Sequence, residues 1–231
     1  ETVAAFIAEP VMGAGGVIVP PKGYFPKMQA VLSRYDIRMI ADEVICGFGR
    51  TGEMFGSQTL DIKPDTITMA KAITSAYMPL GAVTVSEPVY EALVDESKKL
   101  GVFAHGFTYS GHPVAAAVAV KTLEIYERIN IVGRVGEHPL VGETRGVGLI
   151  GGVEIVRDKD GRTSFDLKQG VGTKVAAFAQ EEGLICRAVS GDTIALCPPL
   201  IISEDEIHTM FDCLERALDR GHEWLRAEGM G

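Results

Sequence analysis

Asp42 and Lys71 each stand at the end of an apolar segment that has the composition of a β-strand. The segment before Asp42 is 37–41, and the segment before Ala70 and Lys71 is 66–69. A lysine at a strand end can form an imine with an aldehyde, and an aspartate at a neighbouring strand end can keep a pyridinium nitrogen protonated. Pyridoxal 5′-phosphate (PLP) needs both of these interactions from the protein that binds it. Each residue alone also has a structural interpretation, Asp42 as a helix cap or turn residue and Lys71 as a solvated surface lysine.

Several motifs share the order and the spacing of one enzyme family. Around the two strand ends they are Asp-Glu-Val-Ile-Cys-Gly-Phe-Gly-Arg-Thr-Gly at 42–52, Ala-Lys at 70–71, Pro-Leu-Gly-Ala at 79–82 and Gly-Phe-Thr-Tyr-Ser-Gly-His-Pro at 106–113. Towards the chain ends they are Glu-Pro-Val-Met-Gly-Ala-Gly-Gly-Val at 9–17 and Gly-Leu-Ile-Cys-Arg at 183–187. With these motifs the chain resembles the class III aminotransferases of PLP fold type I over nearly its whole length. The resemblance implies an α/β fold in which a three-layer large domain holds a mainly parallel sheet, here incomplete, together with a smaller α+β C-terminal domain.

The chemistry expected of Asp42 and Lys71 follows from their charges. A carboxylate against the pyridine nitrogen keeps that nitrogen protonated, so that the ring withdraws electrons from the substrate Cα when its proton is removed. Lys71 is expected to hold the cofactor as a Schiff base, to be displaced by the incoming amine, and then to carry the proton between Cα and C4′. Both positions fit open α/β sheets, in which ligands bind at the C-terminal ends of parallel strands.

The resemblance assigns roles to further residues. Val44, two residues after Asp42, is expected to pack against one face of the pyridine ring, although chemistry alone suits a core valine equally well. Phe107 and Thr108 resemble the phosphate clamp that a neighbouring subunit supplies in this family, which implies a homodimer or a dimer of dimers. Arg187 matches the arginine that binds the substrate α-carboxylate, a task that suits its planar guanidinium; a surface arginine is the alternative.

Apolar residues at three motif positions indicate a subclass. Met12, Ala14 and Ile45 stand where ornithine, acetylornithine and 4-aminobutyrate aminotransferases usually carry polar residues, so the chain resembles the ω-amino acid:pyruvate and amine:pyruvate type. The implied function moves an amino group from an ω-amino acid or amine to pyruvate or a similar keto acid, through a Schiff base at Lys71 and a pyridoxamine intermediate. The alternatives are a PLP aminomutase or decarboxylase of the same fold and a catalytically silent, truncated assembly subunit.

Composition and charge exclude several other classes of protein. The chain has 231 residues, 46% of them hydrophobic and 23% charged, which is ordinary for a globular protein. Its net charge of −9 argues against nucleic acid or an anionic membrane as a partner. No apolar run approaches the roughly 20 residues of a membrane span, and the N-terminus lacks the pattern of a signal peptide, so a cytoplasmic location is expected. The spacing of the four cysteines favours thiols over disulfides or a metal site.

Apolar runs and turn residues alternate along the chain in the pattern of an α/β layer structure. Strands are predicted at 3–8, 37–41, 66–69, 81–85, 149–156, 184–187 and 193–197. Helices are predicted from Pro26 with an apolar stripe of Met28, Val31, Leu32 and Tyr35, over 113–129 with most residues buried, and over 167–182. Ser203 and Glu206 have the spacing of a capping box, which predicts the start of the last helix.

The predicted domains are a PLP-binding large domain over 1–130, lacking its N-terminal portion, and a small domain over 131–231. The family carries a longer N-terminal portion with a Gly-Ser turn that holds the cofactor phosphate, and no such turn precedes Asp42. The region 131–139 is also shorter than in the family. We therefore expect an aminotransferase of about twice this length, of which these 231 residues alone would be inactive.

Overall fold

The chain forms two compact units. The computed structural model describes residues 2–128, 141–159, 163–199 and 202–230. One unit comprises Glu1–Pro10 and Pro20–Asn130, and the other comprises Val11–Val19 and Ile131–Gly231. The segment Val11–Val19 therefore groups with the second unit, whereas the sequence places it in a contiguous first domain. The shortened region 131–139 lies outside the described residues.

The first unit contains a four-stranded sheet in the order β1-β2-β3-β4. Its strands are β1 (Ala5–Ala8), β2 (Arg38–Asp42), β3 (Thr66–Met69) and β4 (Ala82–Val85). The first three run parallel and β4 is antiparallel to β3, which confirms the mainly parallel sheet of the predicted α/β fold. The register pairs Asp42 with Thr68, so the C-terminal ends of β2 and β3 reach the same edge of the sheet.

The described residues of the first unit form four helices. They are α1 (Tyr24–Arg34), α2 (Gly56–Thr59), α3 (Glu87–Leu100) and α4 (Pro113–Arg128). Helix α1 begins two residues before Pro26 and contributes Phe25 and Leu32 to a core with Met39 and Ile62. The predicted apolar stripe is only half correct, because Val31 and Tyr35 are exposed.

Helix α4 is less buried than its composition predicts. Ala115, Ala119 and Thr122 are buried, whereas Val114 and Val120 are more than half exposed. The helix packs against the 3₁₀ turn Lys71–Thr74 within its own unit, and this contact covers one face. Because Ala and Val occur on every face of the helix, the sequence predicts burial on all sides. A single packing partner, however, buries only one face.

In its described residues, the second unit is an antiparallel sheet covered by two helices. Its strands, in the sheet order β5-β6-β8-β7, are β5 (Val141–Val147), β6 (Ile150–Ile155), β8 (Thr193–Leu196) and β7 (Arg187–Val189). Helices α5 (Val171–Glu181) and α6 (Glu204–Ala227) complete its core with residues such as Val175, Ile194 and Leu218. None of the described helices in either unit has both the length and the apolar character that a membrane crossing requires.

Two element predictions in this unit need correction. The predicted strand 184–187 is wrong, because β7 starts at Arg187 and Ile185 is 88% exposed. The predicted helix 167–182 is interrupted at Gly170, whose φ of 60° lies in the left-handed region and separates a 3₁₀ turn from α5. Strand β5 was not predicted at all.

The start of α6 is as predicted. The Ser203 hydroxyl accepts the N–H of Glu206 at 3.3 Å, and the Glu206 carboxylate accepts the N–H of Ser203 at 2.8 Å. The two hydrogen bonds from Ser203 lower the pKa of the Glu206 carboxyl. Further along, Glu182 after α5 binds Arg216 and Arg220 of α6 at 2.8 and 2.9 Å, and these two guanidinium groups lower the pKa of Glu182.

Arg145 of β5 explains why Val11–Val19 joins the second unit. Its Nε donates to the carbonyl oxygens of Gly16 at 2.9 Å and Val17 at 3.1 Å, while its other nitrogens bind Glu154 and Thr193. Val17 is buried, and a Cβ on Gly152 would lie 2.9 Å from the Val17 Cβ. Close packing and a guanidinium with several carbonyl partners therefore hold the segment.

Candidate active site

Asp42 is the last residue of β2 and is partly buried. Its Oδ1 accepts the N–H of Val44 at 3.1 Å, which leaves Oδ2 without a hydrogen-bond partner among the described residues. The ladder continues one residue further, since the N–H of Glu43 donates to the carbonyl oxygen of Thr68 at 2.9 Å. The Asp42 carboxylate is thus fixed by main-chain bonds on one side and available to a donor on the other.

Lys71 follows the end of β3 after one extended residue, Ala70. It has a φ of 47°, in the left-handed region that lysine rarely adopts, and it opens the 3₁₀ turn Lys71–Thr74. Ser75 and Ala76 also have positive φ values, 50° and 64°. Such conformations persist where the surroundings enforce them, and they cluster at functional sites.

The turn after Lys71 is anchored from inside the unit. Ile73 is buried in a core cluster with Phe48 and Met69, and the buried Thr74 donates its hydroxyl to the carbonyl oxygen of Met78 at 2.6 Å. The side chain of Lys71, in contrast, is exposed, and in the described part of the chain its ammonium has no ion pair or hydrogen bond. The anchors hold the strained backbone while the amine stays free to react.

The sheet therefore brings an anion and a cation to one edge. Asp42 is level with Thr68 on the neighbouring strand, about 4.8 Å away, and Lys71 follows Thr68 by three residues, which span at most ~11 Å of chain. An available carboxylate oxygen and an unpaired amine are the groups that the nitrogen and the aldehyde of PLP need. The residues present at this edge fit that cofactor.

Val44 and the residues Phe107 and Thr108 stand in different surroundings. Val44 is partly buried and is held beside Asp42 by its own N–H bond. Phe107 is 77% exposed in a loop before α4, and its N–H donates to the Ser110 hydroxyl at 3.2 Å. In the described chain no hydrogen bond joins this loop to Asp42 or Lys71, and the hydroxyl of Thr108 has no partner there.

Arg187 opens β7 in the second unit and is exposed. Its register partner is Ala195, and no carboxylate in the described ranges pairs with its guanidinium. The neighbouring Cys186 is partly buried, and this burial raises the pKa of its thiol, which therefore stays neutral. Arg187 is thus an exposed guanidinium that is free of ion pairs with the described residues.

Sequence reasoning missed the importance of Glu43. It named this residue only as part of a motif, yet its carboxylate is completely buried and accepts two main-chain N–H groups. The available signal was a second acid directly after Asp42 and before the apolar residues Val44, Ile45 and Cys46. An acid in such a run must be bonded inside the protein.

A mainly parallel sheet with an acid and a lysine at adjacent strand ends is the arrangement expected of a fold-type I PLP protein. The family model described as Aminotransferase class-III matches residues 1–218, and the chain belongs to this family. It is 50% identical over 232 residues to the mitochondrial gamma aminobutyrate transaminase 1 of Solanum lycopersicum, covering 94% of this chain and 45% of that relative.

Solved structures agree with this family. The omega transaminase from Pseudomonas jessenii in complex with PMP has a TM-score of 0.93 and 47% identity, covering 100% of this chain and 53% of that one. A structure described as a transaminase with L-ala has a TM-score of 0.90 and 51% identity, covering 97% of this chain and 56% of that one. The chain spans about half the length of the curated relatives it matches.

The left-handed backbone of Lys71 can be tested by substitution. Lys71→Gly should be more stable than Lys71→Ala by about 1 kcal/mol, because glycine adopts a positive φ without a Cβ clash. Chemical denaturation of the cofactor-free variants measures this difference in the free energy of unfolding. The control pair is Glu91→Gly and Glu91→Ala within α3, where alanine should be the more stable by a similar amount. An alanine variant at 71 as stable as the glycine variant would contradict the strained conformation.

Proposed function

We propose that the whole protein is a PLP-dependent transaminase that moves an amino group from an ω-amino acid or amine to pyruvate or a similar keto acid. The observation that carries this proposal is the pairing at one sheet edge of Asp42, with an available carboxylate oxygen, and Lys71, with an unpaired amine. The family is PLP-dependent, which supports the same reading of the site.

When bound, PLP supplies an electron sink for the charge that develops at the substrate Cα. Asp42 holds a proton on the pyridine nitrogen, because its negative charge favours the protonated form. Lys71 would hold the aldehyde end of the cofactor and, once displaced by the substrate amine, would move a proton to or from the substrate Cα. Its amine is suited to this task because no carboxylate among the described residues binds it. Val44, held next to Asp42 by its N–H bond, would pack against the ring.

The phosphate and the substrate carboxylate need further donors. In the proposal, the Phe107 main chain and the Thr108 hydroxyl of a neighbouring subunit bind the phosphate, so the active form is a homodimer or a dimer of dimers. The exposure of the loop and the unpaired hydroxyl of Thr108 support this assignment. Arg187 binds the carboxylate of the keto acid, supported by its free guanidinium.

The names of similar proteins support an ω-amino substrate. The tomato relative is a gamma aminobutyrate transaminase, and the Pseudomonas jessenii protein is an omega transaminase. We propose that this protein accepts the same class of donor, in which the carbon that carries the amino group does not carry a carboxylate. A cytoplasmic location stays a prediction from the sequence, and the tomato relative is named as mitochondrial.

Borohydride reduction of the PLP-loaded protein, followed by peptide mapping, tests the assignment of Lys71. The pyridoxyl group should be attached to Lys71, because hydride reduction makes the lysine–cofactor bond permanent. Lys71→Ala treated in the same way is the control and should carry no label. A label on Lys22, Lys63 or Lys121 in the unaltered protein would overturn the proposed site.

Arg187→Ala tests the proposed carboxylate contact. The KM for pyruvate should rise by about 10- to 100-fold, because a hydrogen bond to a charged group contributes roughly 1.5–3 kcal/mol. The half-reaction with a simple amine donor should survive, since that donor has no carboxylate. Steady-state and half-reaction kinetics measure the two effects, with Arg157→Ala, an exposed arginine of the same unit, as the control. Equal losses in both half-reactions would indicate a structural arginine.

A further inference from the structure

Glu43 is a buried carboxylate directly beside Asp42. Its exposed fraction is 0%, and each carboxylate oxygen accepts one main-chain N–H, Oε1 from Ser57 at 2.6 Å and Oε2 from Gly56 at 2.9 Å. No lysine or arginine of the described residues pairs with it. Burying a carboxylate is costly unless it is hydrogen-bonded, so these N–H groups determine where the side chain can lie.

The bonds of Glu43 close a loop that begins at the end of β2. Ser57 is 14 residues further along the chain, at the start of α2. The closure is tight, because a Cβ on Gly56 would lie 2.8 Å from the Cβ of Pro10 and 2.9 Å from the Cβ of Cys46. The start of α2 is therefore held in one position. Because Glu43 accepts N–H groups from this start, its carboxylate is held in position as well.

The main chain of Glu43 is fixed as firmly as its side chain. Its N–H donates to the carbonyl oxygen of Thr68 on β3 at 2.9 Å, and its carbonyl oxygen accepts the N–H of Gly47 at 2.9 Å. A Cβ on Gly47 would lie 2.9 Å from that same oxygen, so the turn requires glycine. Glu43 thus has four hydrogen bonds, two through its main chain and two through its side chain.

These bonds control the residue on either side of Glu43. Asp42 precedes it, and Val44, whose N–H donates to Asp42 Oδ1 at 3.1 Å, follows it. The direction of the Asp42 carboxylate depends on the main chain over 42–44, whose middle residue is Glu43. We infer that Glu43 is a positioning residue that orients Asp42 towards the pyridine nitrogen of the cofactor, an inference that rests on the proposed function.

Glutamine is the informative replacement because it has nearly the same shape as glutamate. It keeps one acceptor oxygen, but its NH₂ group must face the N–H of Gly56 or Ser57, so one buried donor loses its partner. The loop should relax at this point and the Asp42 carboxylate should lose its fixed direction. The consequence is weaker binding of PLP and a changed pH titration of the lysine-bound cofactor.

The test uses the whole protein. It compares Glu43→Gln with a matched variant of the same loop. The control is Thr51→Val, which removes a buried hydroxyl bonded to Thr59 Oγ1 at 2.8 Å and leaves Glu43 intact. Glu43→Gln should weaken PLP binding about tenfold or more, as expected for a lost charge-assisted hydrogen bond. It should also shift the pH midpoint of the visible absorption band, whereas Thr51→Val should change neither. Circular dichroism checks that both variants are folded.

The same substitution in Asp42→Asn protein tests whether Glu43 influences PLP binding through Asp42. In Asp42→Asn protein, Glu43→Gln should cause little further loss of PLP affinity, because the group that it orients has already changed. Additive losses, or wild-type affinity and pH midpoint in folded Glu43→Gln, would overturn the inference. If Glu43→Gln does not fold, Glu43→Asp, which keeps the charge but shortens the side chain, is judged by the same outcomes. Failure of the unaltered protein to bind PLP would instead refute the proposed function.

Discussion

The parallel pairing of β2 with β3 is the interaction on which the candidate site depends. Its register sets Asp42 opposite Thr68, and the N–H of Glu43 extends the ladder by one more bond to Thr68. A shift of one residue would turn the side chains of one strand to the opposite face of the sheet, and Asp42 would no longer stand level with Thr68. The hydrogen bonds between these two short strands thus determine whether the chain can hold a cofactor.

Buried polar groups and available charged groups have different roles at this edge of the sheet. Glu43 and Thr74 are buried, and their bonds to main-chain groups fix the loops that follow β2 and β3. Asp42 and Lys71 each keep a charged group that the described residues leave available. Rigid loops reduce the reorganisation that chemistry would otherwise require, which is the physical advantage of this arrangement.

Local patterns in the sequence predicted what depends on local interactions. The strand ends at Asp42 and Lys71 follow from apolar runs that stop at a charge, and the capping box of Ser203 and Glu206 needs only its own helix turn. The strand 184–187 was mispredicted because apolar composition does not ensure burial, as the exposure of Ile185 shows.

Contacts between distant residues could not be predicted in this way. Val11–Val19 joins the second unit through Arg145, which lies 129 residues from Gly16 in the sequence. The positive φ of Lys71 is unfavourable for lysine and exists because Ile73 and Thr74 are anchored in the unit. Propensity and periodicity describe neighbours along the chain, whereas these features arise from packing.

We propose that Asp42 keeps the pyridine nitrogen of PLP protonated while Lys71 holds the aldehyde end. Nuclear magnetic resonance of the protein loaded with PLP labelled with nitrogen-15 at the ring measures this protonation directly. We expect a protonated nitrogen at neutral pH in the unaltered protein and loss of that proton in Asp42→Asn, where the negative charge is absent. An unprotonated nitrogen in the unaltered protein, or the same chemical shift in both proteins, would contradict it.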